Sequence, residues 1–376
     1  MNVINSNIIY ETDLIEVVAC CKLVCSEKGW TDYMNKVWGK FISAAACVTM
    51  LGALLGGCGF DYKLDNDIES TEVAEDGQYI VVGVAQVGSE SDWRTANTKS
   101  YTTTFTEDNG YHLIFEDGQQ KQENQVKAVR EFILQGVDYI VIDPVVETGW
   151  DSVLEEARNA GIPVILADRH ISVQDESLYT CFVGSDFALE GQRAGEWLEN
   201  YLDDRDMGDD EINIVTLQGT LESSAQLGRT EGFAKVLKHH DNWNMLGSET
   251  GDFTQARGYE VMAEFLKEYP DIDVVVCEND NMAFGAIEAI EDAGKTVGAD
   301  GDMIIISFDA AKAGLEEVRD GNIAVDFECN PLLGPEIDMI IKKLENGESV
   351  GKATYVKEAY FDFTMDMKNI IDRRNY

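Results

Sequence analysis

The chain has 376 residues, 44% of them hydrophobic and 26% charged. This is the composition of an ordinary globular protein, with room for about two domains. The formal net charge of −41 gives a surface that repels phosphate backbones, so the charge argues against a nucleic-acid partner and indicates a soluble, well-solvated protein.

The first part of the chain carries an export pattern. From Met34 the sequence reads MNKVWGKFISAAACVTMLGALLGGC, in which two lysines precede an apolar stretch that ends in the lipobox LGGC. The apolar stretch is short for a membrane span, which needs about 20 residues, and its order of regions is typical of a signal peptide. We therefore predict a leader over residues 1–57, with translation starting at Met34, and a lipid anchor on Cys58.

The segment that follows the leader predicts a tether. Residues 58–78 are acidic and contain few large apolar side chains. A segment of this composition cannot bury enough surface to fold alone. We expect it to connect the lipid on Cys58 to a folded body.

The cysteines divide between leader and body. Four lie before Cys58, and the body holds only Cys181, Cys277 and Cys329, with no CxxC pair. This pattern favours isolated buried thiols over a metal site or a disulfide framework.

From residue 79 onward, short β-branched runs alternate with helical patterns. The predicted strands cover 80–85, 112–115, 139–142, 164–167, 181–183, 212–217, 273–277, 303–307 and 323–327. The predicted helices include 124–135, 149–159, 190–201, 256–268 and 282–292. Continuous apolar strands separated by helices predict parallel sheets covered on both faces. Nine strands are many for one sheet, so we predict an α/β protein with two doubly wound parallel-sheet lobes.

Polar and aromatic residues cluster directly after these strands. Ligands of open parallel sheets bind beyond the carboxyl ends of the strands. Carboxylates, amides and guanidinium groups can each bind two neighbouring hydroxyls, and aromatic faces such as those of Trp93 and Phe253 can cover the C–H side of a sugar ring. The repeated placement predicts a small-sugar site, although a helix cap or a turn also explains any single one of these residues.

Several stretches resemble a known family. They are VGSESDWR (87–94), DGQQKQENQVKAVR (117–130), PVVETGW (144–150), LQGT (217–220), GDFTQARGYEVM (251–262) and ENDNMAFGAIEAI (278–290). The body resembles the type I periplasmic sugar-binding proteins of ABC importers, within the ribose-binding and lactose-repressor-core superfamily, and is most similar to the galactofuranose binders.

The resemblance implies a set of sugar contacts. Trp93 would be a stacking platform in the loop after the first strand, and Phe253 would close the second face of the ring. The polar contacts would come from Arg94, Asp168, Arg169, Arg229, Asn279, Asp309 and Glu328, with Ser91 and Asp143 as further candidates. Asp143 stands where a galactofuranose binder is expected to have a small residue, which leaves the identity of the sugar open.

The resemblance also implies how the lobes are built and what they meet. Three crossovers would divide the body into an N-terminal lobe of 79–185 plus 330–352 and a C-terminal lobe of 186–329 plus 353–376. Closure around a monosaccharide would present both lobes to an ABC permease. We expect a monomer without a cofactor or metal, outside the cytoplasm and anchored to the cell membrane.

Three other functions compete with import. An enzyme is disfavoured because no nucleophile elbow, P-loop, HExxH or dinucleotide fingerprint follows a strand. A transcription regulator would need a basic helix-turn-helix ahead of the core, where this chain has a lipobox. A sugar-sensing lipoprotein that signals to a kinase or chemoreceptor would have the same pocket and remains open.

Overall fold

The computed structural model describes residues 79–376, so the predictions for the leader, Cys58 and the tether lie outside the described residues. The elements in chain order are β1 (Ile80–Gln86), α1 (Asp92–Thr104), β2 (Tyr111–Asp117), α2 (Gln122–Gln135), β3 (Tyr139–Ile142), α3 (Asp151–Ala160), β4 (Val164–Asp168), β5 (Cys181–Gly184), α4 (Phe187–Asp203), β6 (Ile212–Gln218), α5 (Ser224–Leu237), β7 (Trp243–Thr250), α6 (Gln255–Glu268), β8 (Val274–Cys277), α7 (Asp280–Asp292), β9 (Ile304–Asp309), α8 (Lys312–Asp320), β10 (Val325–Glu328), α9 (Gly334–Glu345), β11 (Ala353–Tyr355), β12 (Tyr360–Asp362) and α10 (Met367–Ile371).

The strands form two six-stranded sheets. The first has the order β11-β5-β4-β3-β1-β2 and the second β12-β10-β9-β8-β6-β7. All pairings are parallel except that of β10 with β12. The chain passes between the sheets after β5, after β10 and between β11 and β12, which confirms the prediction of two doubly wound lobes joined by three crossovers.

The predicted position of the third crossover is wrong. Residues 353–376 were assigned to the C-terminal lobe, whereas Ala353–Tyr355 pair with Phe182–Gly184 in the first sheet. The crossover therefore lies between Tyr355 and Tyr360. The three residues of β11 are all exposed, so this edge strand leaves no buried pattern in the sequence.

Each sheet has a hydrophobic cluster on both faces. In the first lobe, Phe132 and Leu154 belong to the cluster under α2 and α3, and Tyr101 and Ile337 to the one under α1 and α9. Every residue of β3, β4 and β5 is buried. This explains the continuous apolar runs from which the strands were predicted, because a sheet covered on both faces has no polar side.

Two further findings concern the cysteines and the helices of residues 79–376. Cys181, Cys277 and Cys329 are buried and free, as predicted. No helix between residues 79 and 376 combines the length and apolar character needed to cross a membrane.

Candidate functional site

A cavity lies between the two lobes, where the carboxyl ends of both sheets face each other. Its empty space, including the part open to solvent, is about 290 Å³. The lobes touch around it: the His170 amide donates to Ser224 Oγ (2.8 Å), and the Asp92 amide donates to Asn281 Oδ1 (3.0 Å). The structure is therefore a closed arrangement that suits a small molecule.

Most of the predicted site residues line this cavity. They are Ser91, Trp93, Arg94, Asp168, Arg169, Arg229, Phe253, Asn279 and Asp309. Two predicted residues, Asp143 and Glu328, do not line it. Four lining residues were not predicted as contacts: Glu90, Phe187, Ala225 and Cys329.

Trp93 and Arg94 lie in the first turn of α1, not in a loop as the resemblance implied. Ser91 caps this helix, and its hydroxyl accepts a hydrogen bond from the Arg94 amide (3.1 Å). Because a helix fixes its backbone more firmly than a loop does, both side chains start from a rigid base. The threonine-rich sequence of α1 disguises the helix, since β-branched residues are poor helix formers.

Arg94 is the centre of a buried ionic network. Its Nε donates to Glu90 (3.1 Å) and its Nη2 to Asp168 (2.8 Å). Its Nη1 donates to Gln86 (3.0 Å) and Asp143 (3.3 Å). Since a guanidinium has five N–H donors, these bonds leave one N–H of Nη2 for a ligand. The surrounding carboxylates outweigh burial and raise the pKa of Arg94, so it stays charged.

Asp143 supports this network from behind the cavity. It is fully buried, and its Oδ1 accepts a hydrogen bond from the Tyr101 hydroxyl (2.9 Å). Burial raises the pKa of Asp143 to about 7, against the opposing pull of Arg94. Its predicted role as a possible direct contact is replaced by one of holding Arg94 in place.

Two residues that line the cavity each have a polar atom without a protein partner. Within residues 79–376, Glu90 Oε2 and Arg169 Nε are buried without a hydrogen bond. Arg169 Nε lies 3.7 Å from Asp168 Oδ2, too far for one. An unpaired buried polar group costs roughly 1–3 kcal/mol, so a ligand that offers both a donor and an acceptor would recover this energy.

The C-terminal lobe supplies a second guanidinium. Arg229 in α5 donates from Nε to Glu190 (2.8 Å) and from Nη1 to the main-chain oxygen of Glu278, and its Nη2 lies 3.6 Å from Asp309. Burial raises the pKa of Asp309 well above its usual value. Asn279 caps α7 and donates to the Phe253 carbonyl (3.2 Å). The amide thereby fixes the loop that carries Phe253.

Two aromatic side chains reach the cavity from opposite lobes. The Trp93 indole donates to the Cys329 carbonyl (2.6 Å). Phe253 packs beneath the Arg169 guanidinium, whose Cζ lies 5.2 Å from the centre of the phenyl ring. Gly219 makes room for the ring, because a Cβ there would lie only 1.8 Å from Phe253 Cζ. Aromatic surface on two sides suits a ligand with apolar C–H faces.

Three cavity residues have a left-handed backbone. The φ angles are 61° at Asp168, 60° at Phe253 and 109° at Asp309. This conformation costs energy in a non-glycine residue, and such strain concentrates at ligand sites. Asp168 and Asp309 are the last residues of β4 and β9, so the strain turns their carboxylates at the strand ends.

Glu328 has a different role from the predicted one. Its Oε1 accepts hydrogen bonds from the Tyr376 hydroxyl (2.7 Å) and Arg374 (2.5 Å), and its Oε2 accepts one from the Ala359 amide (3.0 Å). Burial opposes ionisation, but the bonds from Tyr376 and Arg374 hold the pKa of Glu328 below its usual value. Glu328 thus fastens the C-terminus instead of reaching the cavity.

Comparison with known proteins agrees with this architecture. Residues 82–327 match the family model described as periplasmic binding protein domain. The chain is 41% identical to the galactofuranose-binding protein YtfQ of Escherichia coli over 75% of this chain and 87% of that protein.

Two solved structures are similar over most of their length. One, from Mycobacterium smegmatis in complex with β-D-fucofuranose, is 44% identical with a TM-score of 0.75 and covers 79% of this chain and 95% of its own. The other is the binding protein of the arabinose ABC transporter from Shewanella sp. ANA-3, bound to α- and β-L-arabinofuranose, at 39% identity, a TM-score of 0.73 and coverage of 78% and 95%. The match confirms the resemblance drawn from the sequence motifs: the chain belongs to the periplasmic binding protein family and has its type I fold.

Proposed function

We propose that this protein is an extracytoplasmic solute-binding protein that closes around a galactofuranose-like monosaccharide and delivers it to an ABC importer. The observation that carries the proposal is a pair of unpartnered polar atoms, Glu90 Oε2 and Arg169 Nε, on two residues that line a cavity bordered by Trp93 and Phe253. A sugar hydroxyl both donates and accepts hydrogen bonds, so neighbouring hydroxyls can satisfy both atoms while the ring packs on the aromatic faces.

The proposal that the sugar binds in its furanose form comes from the relatives. The named ligands of all three relatives reported above are furanoses. The direct contacts we propose are the predicted residues that line the cavity, together with Glu90.

A sugar panel tests this function. We expect D-galactose, D-fucose or L-arabinose, each of which forms some furanose in solution, to raise the melting temperature, and methyl α-D-galactopyranoside, which cannot, to leave it unchanged. A ligand at 100 times its Kd stabilises the folded protein by about 2.7 kcal/mol, which differential scanning fluorimetry detects easily. If no sugar in the panel shifts the melting temperature, the proposed ligand class is wrong.

The lipid anchor is the second part of the proposal. It rests on the LGGC sequence that ends in Cys58. Cys58→Ala should abolish incorporation of radiolabelled palmitate into the protein, because acylation needs the thiol. Cys47→Ala, a change inside the same leader, is the control and should still be labelled. A Cys58→Ala protein labelled as strongly as wild type would contradict the anchor.

Sensing remains the alternative to delivery, since it needs the same pocket and differs in the protein that receives the closed form. Deleting the gene for this protein should abolish uptake of the radiolabelled panel sugar if the protein serves import. Normal uptake combined with a lost transcriptional response to the sugar would favour sensing instead.

A further inference from the structure

The three crossovers between the lobes meet at one side chain, that of Glu358. This residue lies in the third crossover, between β11 and β12. Its Oε1 accepts a hydrogen bond from the hydroxyl of Ser185 in the first crossover (2.5 Å) and from the amide of Asn330 in the second (2.9 Å). Ser185 Oγ also lies 3.3 Å from Cys329 Sγ. One carboxyl group thus connects all three segments on which the lobes must turn.

The charges around Glu358 are not balanced. Glu190 of α4 offers a carboxylate oxygen within 4.8 Å of Glu358, and its Oε1 is buried without a partner among the described residues. The nearest buried cation is Arg229, which pairs with Glu190 (2.8 Å) and is shared with Asp309 (3.6 Å).

Other groups near Glu358 do not supply the missing charge. Arg193 of α4 reaches only the main-chain oxygen of Glu358 (3.4 Å), and Glu196 borders the same surface groove. The Cys329 thiol is neutral, because burial and the charge of Glu190 raise its pKa well above the usual value. Two carboxylates and one shared guanidinium leave an excess negative charge where Glu358 is half-buried and Glu190 fully buried, and a proton can remove this charge.

We propose that Glu358 is the positioning residue that holds the three crossovers in the closed arrangement, and that it does so with its carboxyl group protonated. A neutral carboxyl still accepts the bonds from Ser185 and Asn330 on its carbonyl oxygen, and it removes the repulsion toward Glu190. Burial, and next the charge of Glu190, raise the pKa of Glu358 to about 8, which agrees with this geometry.

Because the pKa of Glu358 differs between the folded and unfolded states, the stability of the protein depends on pH. The ordinary pKa of a glutamate is 4.5, and that of Glu358 in the closed form is about 8. The folded state therefore binds more protons than the unfolded state between these values, so stability falls as pH rises from 4.5 to 8 and levels off above 8. The closed form is likewise favoured at the acid side of this range.

The test compares three proteins without sugar between pH 5.5 and 8.5: wild type, E358Q and E358A. Glutamine keeps a neutral acceptor for Ser185 and Asn330 but cannot ionise. Asp143, Glu278 and Asp326, whose pKa values are also raised to about 7, contribute the same fall in all three proteins. We expect the melting temperature of wild type to fall more steeply with pH than that of E358Q, and E358A to be the least stable at pH 5.5.

Parallel profiles for wild type and E358Q would overturn the proposal. So would zinc or another metal found by mass spectrometry in the purified protein and lost in Cys329→Ser, since Glu190, Cys329 and Glu358 would then hold a cation instead of a proton.

A second measurement connects the proton to closure and rests on the proposed sugar binding. Affinity for the best sugar of the panel should weaken with pH more steeply in wild type than in E358Q, in which Asp143 still titrates. Each unit of pKa difference between the closed and open forms changes affinity about tenfold. Equal slopes in wild type and E358Q would overturn the role in closure. The melting profiles need no ligand, so a failure to find the sugar leaves them valid.

Discussion

Replacing Arg94 with methionine is expected to lower the free energy of unfolding by about 3–5 kcal/mol, the usual cost of removing one partner from a buried ionic network. The change leaves three carboxylates, Glu90, Asp143 and Asp168, without their common cation, and these side chains are at most 5% exposed. Methionine fills a similar volume, so the loss comes from charge and hydrogen bonding. Urea unfolding at pH 7.5 measures it.

Arg130→Met is the matched control. Arg130 forms a two-pronged salt bridge with Glu156 on the surface, where both side chains are more than 40% exposed. Exposed pairs contribute about 0–1 kcal/mol. Arg94→Met should also abolish sugar binding, because the network orients Asp168 at the cavity, whereas Arg130→Met should not. Equal destabilisation by the two changes would show that Arg94 is not the centre of a buried network.

The Arg94 variant has a pH signature as well. Asp143 already has its pKa raised to about 7 by burial, with Arg94 opposing the rise. Without Arg94, the carboxyls would take up protons at higher pH, and protonation would relieve the unpaired charge. The stability deficit of Arg94→Met should therefore shrink as pH falls from 8 toward 5, whereas that of Arg130→Met should stay small throughout.

The sequence predicts strand ends well but says little about distance from the ligand. The resemblance implies Asp168 and Asp309 as contacts, and both stand at the ends of buried parallel strands and line the cavity. Glu328 also ends a strand, yet Arg374 and Tyr376 from the C-terminus occupy its carboxylate. A contact across 46 residues of sequence leaves no trace in the local pattern, so a strand-end position places the first two residues at the cavity but not the third.

The strands that the sequence does not reveal are the ones with little buried surface. β7 alternates irregularly between buried and exposed positions and pairs with β6 through a register shift. It therefore lacks both the apolar run and the strict alternation from which strands are predicted. Glu90 is not predicted as a contact for another reason. It precedes the capping serine of α1, and it is held at the cavity by Arg94, whose side chain folds back across one helical turn.

Trp93→Ala should reduce sugar affinity at least about 30-fold, the loss that corresponds to a hot spot of 2 kcal/mol or more, with little effect on the stability of the sugar-free protein. Trp93 is 5% exposed, but it belongs to a hydrophobic cluster made mainly of residues of the other lobe, among them Phe187 and Phe253. Opening the lobes removes this burial without unfolding either lobe. The indole therefore contributes to closure around a ligand more than to folding.

Trp197→Ala provides the opposite case. Trp197 stacks on Tyr201 of the same helix, with ring centres 4.9 Å apart, and its indole donates to Asp362 (3.3 Å) in the C-terminal lobe. Its loss should destabilise the folded protein and leave sugar affinity unchanged, since it does not line the cavity. Calorimetric titration of both variants, with melting curves recorded without sugar, separates the two effects. Unchanged affinity in Trp93→Ala would remove the tryptophan from the binding site, and with it one of the two aromatic faces on which the choice of a sugar depends.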